Sequence, residues 1–203
     1  KHYNEMDWIK FINDNSNALT FKELSTKNDI NFDYLCISSG SSDFDFNKTR
    51  TILMKIPQIY MIMLDVANGY TENFVECVKK FRKEFPNKVI IAGNVVTGEM
   101  TEQLLLAGAD IIKVGIGPGS VCTTRKQTGI GYPQLSSVIE CSDTAHGIDA
   151  HIISDGGMQV IGDFAKAYAG GADFVMSGSM FAGHSETNGV LFEQGDKKFK
   201  LFY

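Results

Sequence analysis

The chain has 203 residues, of which 43% are hydrophobic and 21% are charged. That balance is typical of a folded globular protein and argues against disorder. The net charge is -5 without any long run of Lys or Arg, so an extended nucleic-acid surface is not expected. No apolar stretch approaches the roughly 18 residues of a membrane helix. The start, KHYNEMDWIK, has no signal-peptide pattern and no initial Met, so we expect preceding residues to be missing.

Four cysteines occur, at Cys36, Cys77, Cys122 and Cys141, and their spacing matches no paired zinc-ligand pattern. Such unclustered cysteines suit a reducing compartment, so a cytoplasmic protein is expected. All but Cys122 lie within apolar strand or helix patterns. A free cysteine there behaves as a small hydrophobic side chain, and we therefore expect these three to be buried packing residues.

Short continuous apolar runs alternate with helical patterns along the chain. The runs do not alternate polar with apolar residues, as expected for strands that are covered on both faces. The expected elements, in chain order, are a helix at 6–14, strands at 34–40 and 60–69, a helix at 71–85, a strand at 89–94, a helix at 97–108, a strand at 111–117, a helix at 133–147, a strand at 151–157, a helix at 162–171, a strand at 174–179 and the start of a hairpin at 190–203. The helix at 71–85 has an apolar stripe of Phe74, Val75, Val78, Phe81 and Phe85, and Thr97 is a candidate N-cap of the next helix.

Strand–helix alternation predicts an α/β fold with a parallel sheet, either a doubly wound open sheet or a TIM (β/α)8 barrel. No G-x-G-x-x-G follows the first strand, and polar or glycine residues end many strands, which favours the barrel. Only about six βα units can be counted, although a barrel needs eight. We therefore expect a single catalytic domain over 1–203 that is an incomplete barrel, truncated at both ends and lacking the first strands.

The densest glycine segment, residues 115–131, follows the apolar strand residues IIKV (111–114) and contains Cys122. Glycines allow backbone N–H or carbonyl groups to converge on an anion or a cation. A reactive thiol needs partial exposure and nearby positive charge, which Arg125 and Lys126 can supply, and Thr124 places a hydroxyl close by. A buried cysteine in a turn with solvated cations is the alternative, and the polar surroundings favour a functional thiol.

Other strand ends also have polar residues. Asp155 could accept hydrogen bonds from ribose hydroxyls, and Gly156 and Gly157 could expose N–H groups to phosphate at a helix start. Gly178 and Ser179 repeat this arrangement after the last strand, while Asp65 ends an earlier one. A plain strand-to-helix turn is the alternative. The four histidines share no ligand spacing, so no transition-metal site is expected.

The segments GIGPGSVCTTRKQTGIGYPQ, ISDGG, AGNVVTGEM and AGHSE resemble the IMP dehydrogenase/GMP reductase family. The resemblance covers nearly the whole chain, and CTTRK with LDVANGY is closer to the reductases. It implies NADPH-dependent reductive deamination of GMP to IMP and ammonia through a covalent thioimidate, in purine salvage. In that reaction Cys122 would be the nucleophile, and Thr124 would move protons to the departing ammonia.

The resemblance also implies the remaining site residues. Those expected to hold the ribose and phosphate of the nucleotide are Ser120, Asp155, Gly156, Gly157, Gly178 and Ser179. Those expected to line the NADPH site are Lys1, Asp65, Val66, Ala67, Ile116 and Gly117. Those whose carbonyls would bind a potassium ion are Gly117, Gly119, Cys122 and Arg125. A homotetramer is implied as well.

Three departures from the family pattern are visible. Ser179 replaces the glycine usual in reductases, although dehydrogenases have serine there, so the phosphate contact should survive. Residues 16–33 form a longer connection than usual. The family's purine-reading flap and its Glu would follow Tyr203, so neither is assigned, and the 203-residue piece alone is expected to be inactive. Two alternatives stay open: an NAD-dependent IMP dehydrogenase, and a non-catalytic nucleotide-phosphate-binding barrel.

Overall fold

The structure is a computed structural model that describes residues 32–185, 187 and 189–201. The helix expected at 6–14 and Lys1 lie outside these residues. No helix in the described ranges is long and apolar enough to cross a membrane. The elements are β1 (Cys36–Ser39), α1 (Asp43–Lys55), β2 (Met61–Asp65), α2 (Glu72–Glu84), β3 (Val89–Val95), α3 (Gly98–Leu106), β4 (Ile111–Val114), α4 (Thr124–Thr128), α5 (Gln134–Gly147), β5 (His151–Asp155), α6 (Ile161–Ala169), β6 (Phe174–Met176), β7 (Val190–Gln194) and β8 (Lys197–Leu201).

The first six strands form one parallel sheet whose spatial order is the chain order, β1-β2-β3-β4-β5-β6. In a doubly wound sheet the strand order reverses part-way across the sheet. The unbroken order seen here therefore distinguishes between the two expected architectures. Because crossovers between parallel strands are right-handed, the connecting helices all lie on one face of the sheet. Six strands wound in this way form part of a barrel wall, which confirms the predicted fold class.

The core lies between the sheet and its helices. Alternate residues of the strands face the helices and are fully buried, as with Ile62, Leu64, Ile112 and Ile152. Helix α2 packs on them through an apolar stripe, as its sequence predicted. The side chains of α2 that are buried are Phe74, Val75, Cys77, Val78 and Phe81. The alternate set of strand residues, including Asp65 and Lys113, lies on the opposite face. That second face corresponds to the inside of the barrel.

Helix α1 was missed in the sequence, since no element was predicted over residues 43–55. Its buried side chains, Phe46, Thr49, Ile52 and Leu53, do recur at helical spacing. Only three of them are apolar among charged neighbours, so the stripe was weak. Ser42 caps the helix by accepting a hydrogen bond from the backbone N–H of Asp45 at 3.1 Å. This polar cap was the signal that could have revealed the helix.

Two other expectations need correction. Thr97 is at the N-cap position of α3, but its side chain does not cap the helix; its hydroxyl pairs with that of Tyr70 at 2.9 Å. Cys36 is half-buried rather than buried, whereas Cys77 and Cys141 are buried as predicted. The expected arms near the end of the chain form an antiparallel hairpin, β7 with β8.

At the amino-terminal edge of the sheet, Arg82 ties α2 to the loops before β3 and β4. Its guanidinium ion-pairs with Asp110 at 2.5 Å, and that carboxylate also accepts from the backbone N–H of Ile90 at 2.7 Å. The carbonyl oxygens that accept hydrogen bonds from Arg82 are those of Phe85, Pro86, Lys88 and Gly108. This one side chain therefore satisfies several loop carbonyls that have no partner in a strand.

We expect Arg82→Met in the full-length protein to lower the free energy of unfolding by about 2–4 kcal/mol, since these carbonyls and Asp110 all lose the hydrogen bonds that Arg82 donates. Arg50→Met is the matched control, because Arg50 is half-exposed and pairs only with Glu84. Arg50→Met should lower the free energy of unfolding by only about 0.5 kcal/mol. Urea unfolding at pH 7 measures both, and equal losses would contradict the assigned role of Arg82.

Candidate active site

The carboxyl ends of β2 to β5 open on a pocket of about 260 Å³. Parallel strands end at the same edge of a sheet, so side chains that are distant in sequence meet there. The residues that line the pocket are Asp65, Val66, Ala67, Asn94, Lys113, Gly115, Ile116, Gly117, Pro118, Gly119, Cys122, Thr124, Asp155 and Gly156. The pocket therefore brings together the expected nucleophile and several residues expected to bind nucleotide and cofactor.

Cys122 lies partly exposed in the loop after β4, just before the short helix α4. Its backbone N–H donates to the carbonyl of Gly119 at 3.1 Å, and its Sγ lies 3.4 Å from Oγ1 of Thr124. Hydrogen bonds from the hydroxyl and then the backbone N–H of Thr124 lower the pKa of the Cys122 thiol, with a smaller contribution from Arg125. A lowered pKa favours the nucleophilic thiolate at neutral pH.

The other three cysteines have the opposite character. Burial raises the pKa of Cys36, Cys77 and Cys141 to about 11 in each case. They therefore stay protonated near neutral pH. Cys122 differs from them through its exposure and its hydrogen bonds with Thr124, whereas the sequence had predicted that the charges of Arg125 and Lys126 would act on the thiol.

Arg125 lies folded against the glycine loop. Its guanidinium donates to the carbonyls of Ile116 at 3.2 Å and Tyr132 at 2.5 Å, so it joins the start of the loop to its end. A Cβ at Gly117 or Gly131 would come within 2.7 Å of Arg125, which explains why both positions are glycine. Gly117 also has a φ of +71°, a conformation that favours glycine. The sequence assigned Arg125 a charge role at the thiol, but shaping the loop is its larger contribution.

Asn94 and Lys113 in the pocket, and Gln134 behind it, were not recognised as site residues in the sequence. Lys113 reaches Asp155 at 2.6 Å and Asp65 at 3.2 Å. Asn94 donates to the carbonyl of Gly115 at 2.6 Å and to Oδ2 of Asp155 at 2.9 Å. A lysine inside an otherwise apolar strand, IIKV, was the signal that could have identified Lys113.

Gln134, at the start of α5, lies behind the pocket and joins β4 to β5. Its Nε2 donates to the carbonyl of Val114 at 2.8 Å and lies 3.2 Å from Oγ of Ser154. A Cβ at Gly115 would approach the Gln134 amide to 2.9 Å. Gln134 therefore supports the first residue of the glycine loop from the side of the helices.

A larger cleft of about 510 Å³ adjoins the pocket at the end of β1. The two share Asp65, Val66 and Ala67, so these residues form the wall between them. The cleft continues past a serine-rich turn to Lys48 and Thr49 of α1. An elongated ligand could therefore extend from the thiol loop past the end of β2.

Residues 22–203 match the family described as the IMP dehydrogenase / GMP reductase domain. The chain belongs to this family. It is 58% identical over its whole length to GMP reductase 2 of Homo sapiens, covering 55% of that protein. It is 55% identical to the GMP reductase of Klebsiella pneumoniae, again covering 55%. The chain thus spans about half the length of the curated relatives that it matches.

A solved family structure has the same fold. It is a variant GMP reductase from Trypanosoma brucei that superposes with a TM-score of 0.75 at 34% identity, covering 81% of this chain and 36% of that one. The same variant in complex with guanosine 5′-monophosphate superposes with a TM-score of 0.74 at 35% identity, covering 80% of this chain and 34% of that one.

The pocket includes some of the family site residues expected from the sequence and omits others. Its lining includes the expected cofactor residues Asp65, Val66, Ala67, Ile116 and Gly117, with Cys122, Thr124, Asp155 and Gly156. Within the described residues, its lining does not include Ser120, Gly157, Gly178 or Ser179. Ser179 begins a 3-10 turn, Ser179–Phe181, directly after β6 and Gly178.

One expected feature of the phosphate site is wrong. Gly156 and Gly157 do not begin a helix, because α6 starts four residues later at Ile161. Both glycines have positive φ angles of about +80°, and the N–H of Gly156 donates to the carbonyl of Met176 at 3.0 Å. These two residues therefore form a turn beside β6, and any phosphate contact there would come from this turn instead of a helix dipole.

The carbonyls expected to bind potassium are chemically suited to such an ion, since alkali cations take oxygen ligands. The carbonyl of Gly119 accepts from the N–H of Cys122, and that of Arg125 accepts from the N–H of Gly129, both at 3.1 Å. A carbonyl oxygen has two lone pairs, so each retains one for a cation. The positive φ of Gly117 turns the chain within the same short loop.

At pH 7 iodoacetamide should modify Cys122 ahead of the other three cysteines, because the thiolate is the reacting form. Thr124→Val should slow that reaction and move its pH midpoint upward, since it removes the hydroxyl that lowers the pKa. Thr123→Val is the matched control, because the Thr123 side chain makes no capping hydrogen bond. Peptide mass mapping over a pH series measures the rates. An unchanged midpoint in Thr124→Val would contradict the assigned hydrogen bond.

Proposed function

We propose that this chain forms much of the catalytic barrel of a GMP reductase, which converts GMP and NADPH to IMP, ammonia and NADP+. The observation that carries the proposal is the partly exposed Cys122, whose pKa is lowered by Thr124 inside a pocket at the strand ends. The 58% identity to a GMP reductase along the whole chain supports it. A role in purine salvage follows from the reaction.

The first half of the proposed reaction uses the nucleophilicity of Cys122. Its thiolate Sγ attacks C2 of the guanine ring and forms a C–S bond, while the C2–N bond to the amino group breaks. Ammonia leaves after gaining a proton, and Thr124, 3.4 Å from the sulfur, is positioned to pass that proton. The product is a thioimidate that links Cys122 to C2, and splitting the reaction in this way lowers each barrier.

The second half returns the thiol to its starting state. NADPH, when bound, supplies the hydride that C2 gains as the cofactor becomes NADP+. Cys122 then leaves as a thiolate when its bond to C2 breaks, which releases IMP. The hydrogen bonds from Thr124 stabilise the departing thiolate, for the same reason that they lower its pKa.

The nucleotide and the cofactor would occupy different walls of the pocket. Asp155 and Gly156 line one side, where we place the ribose of GMP, with its phosphate near Gly157, Gly178 and Ser179. Asp65, Val66 and Ala67 line the other side, beside Ile116 and Gly117, where we place NADPH. The adjoining cleft of about 510 Å³ supports this, because a dinucleotide needs more room than the pocket alone provides.

Three further properties are part of the proposal. The carbonyls of Gly117, Gly119, Cys122 and Arg125 would hold a potassium ion, which would stabilise the shape of the loop around the nucleophile. A homotetramer and a cytoplasmic location are proposed on the family resemblance and on the unpaired cysteines. The 203-residue chain alone is proposed to be inactive, since β1 and β6 each pair with only one strand in the described part.

An NAD-dependent IMP dehydrogenase is the enzyme alternative, and absorbance at 340 nm separates the two. Full-length protein with GMP and NADPH should consume NADPH, whereas the same protein with IMP and NAD+ should produce no NADH. The first reaction should exceed the second by at least about 10²-fold, as differential transition-state binding allows. NADH production from IMP as the faster reaction would overturn the proposal in favour of the dehydrogenase.

Cys122→Ser in the full-length protein should lower kcat for NADPH oxidation with GMP by about 10³-fold or more, because no thioimidate can form. Cys36→Ser is the matched control, since Cys36 has a raised pKa and does not line the pocket. It should retain wild-type kcat. Retained turnover in Cys122→Ser would rule out the covalent route. Absence of turnover in the wild type, with GMP still bound, would favour the non-catalytic alternative.

A further inference from the structure

Lys113 is the only charged residue in the described ranges that is almost completely buried, with 5% of its surface exposed. Removing an ammonium group from water costs several kcal/mol, and an apolar side chain would usually stabilise such a position equally well. Packing alone therefore does not explain a lysine in the middle of β4. Its ammonium group lies in the candidate active site, so the explanation is to be sought there.

The backbone of the neighbouring strand lies close to Lys113. Gly93 of β3 pairs in register with Lys113, and a Cβ at Gly93 would meet the Lys113 carbonyl oxygen first and its Cβ at 2.7 Å. Gly93 therefore allows the close pairing of β3 with β4, and that pairing does not depend on which side chain occupies position 113.

Lys113 lies between two carboxylates on different strands. Its Nζ is 2.6 Å from Oδ2 of Asp155 on β5 and 3.2 Å from Oδ1 of Asp65 on β2. These two aspartates line the walls proposed for nucleotide and cofactor. Without a cation between them, two like charges would lie in one pocket, which disfavours the state in which both carboxylates are ionised.

Lys113 is the cation that contacts both carboxylates. Within the described residues, the titratable side chains that line the pocket are Asp65, Lys113, Cys122 and Asp155, and the adjoining cleft that shares Asp65 adds Asp45 and Lys48. The neighbouring strand β3 contributes the uncharged Asn94. The guanidinium of Arg125 donates to backbone carbonyls of the loop instead.

The same contacts orient Asp155. Lys113 and Asn94 both donate to its Oδ2, at 2.6 Å and 2.9 Å. Its Oδ1 makes no hydrogen bond to any residue in the described part of the chain, so that oxygen is available to accept from a ligand. A carboxylate fixed by two donors on one oxygen and open on the other suits a ribose hydroxyl.

We propose that Lys113 is a positioning residue that keeps Asp65 and Asp155 charged together in one pocket and holds Asp155 ready to accept a ribose hydroxyl of the nucleotide. The ribose part rests on the proposed function, whereas the charge part does not. The two parts can therefore be tested separately.

The charge part is tested without any ligand, by the melting temperature of the full-length protein between pH 5 and pH 8. In Lys113→Met the folded state with both carboxylates ionised would be disfavoured, so the variant should lose stability as pH rises and both carboxyls lose their protons. We expect the Tm of this variant, relative to wild type, to be lower at pH 8 than at pH 5 by about 3 °C. Lys113→Met with Asp65→Asn removes the like-charge pair and should abolish that pH dependence.

Lys79→Met is the matched control, since Lys79 is exposed and pairs only with Glu76 one helical turn away. It should leave Tm nearly unchanged at every pH. Lys113→Met could instead lower the Tm equally at pH 5 and pH 8, with no recovery on adding Asp65→Asn. That result would show a packing role for Lys113 and overturn the proposal. If Lys113→Met fails to fold, folding of the double variant supports the proposal, and failure of both overturns it.

The ribose part is tested by calorimetric titration with GMP and with 2′-deoxy-GMP. Lys113→Met should bind GMP about tenfold more weakly, because a hydrogen bond to a charged group loses its orientation. Its affinity for 2′-deoxy-GMP should change less. The ratio of the affinity for GMP to the affinity for 2′-deoxy-GMP should therefore be smaller in the variant than in the wild type. An unchanged preference in this variant would overturn the ribose part. If the wild-type protein binds no GMP, the proposed function fails, while the melting temperatures still decide the charge role of Lys113.

Discussion

The spatial order of the sheet is the constraint on which the rest of this structure depends. Six parallel strands follow one another in chain order, so the long helices between them pack on one face of this sheet and all six strands end at one edge. The helix side takes the apolar residues, and the opposite face is left to polar groups such as Asp65 and Lys113. Residues from four different strand ends therefore meet in a single pocket, although up to 91 positions separate them in the sequence.

Two sets of contacts fix the groups that line the pocket, one around Cys122 and its loop and the other around Asp155. Thr124 lowers the pKa of Cys122 through hydrogen bonds, while Arg125 keeps the glycine loop closed by joining the carbonyls of Ile116 and Tyr132. On the opposite side, Lys113 and Asn94 fix the carboxylate of Asp155. A thiol with a lowered pKa on a shaped loop thus lies in the same pocket as a fixed carboxylate acceptor, which is the arrangement that the proposed covalent step on a nucleotide would use.

Several features could be predicted because they depend on local pattern. Continuous apolar runs identified the six strands, and the stripe along 71–85 identified α2. Helix α1 was missed because its stripe includes Thr49 and only three apolar residues, so the pattern had little contrast. Gly156 and Gly157 were assigned to a helix start because a glycine pair does not show how far away the next helix begins.

The sequence by itself determined the fold class and the family and predicted Cys122 as the nucleophile, because strand periodicity and the motif around Cys122 are local signals. Only the tertiary structure decided that Lys113 bridges Asp65 and Asp155, and that Arg125 spans its own loop. These contacts depend on which strands are neighbours and on their register. A buried ammonium in IIKV is one letter in the sequence, and its meaning comes from carboxylates that lie 48 residues before it and 42 residues after it.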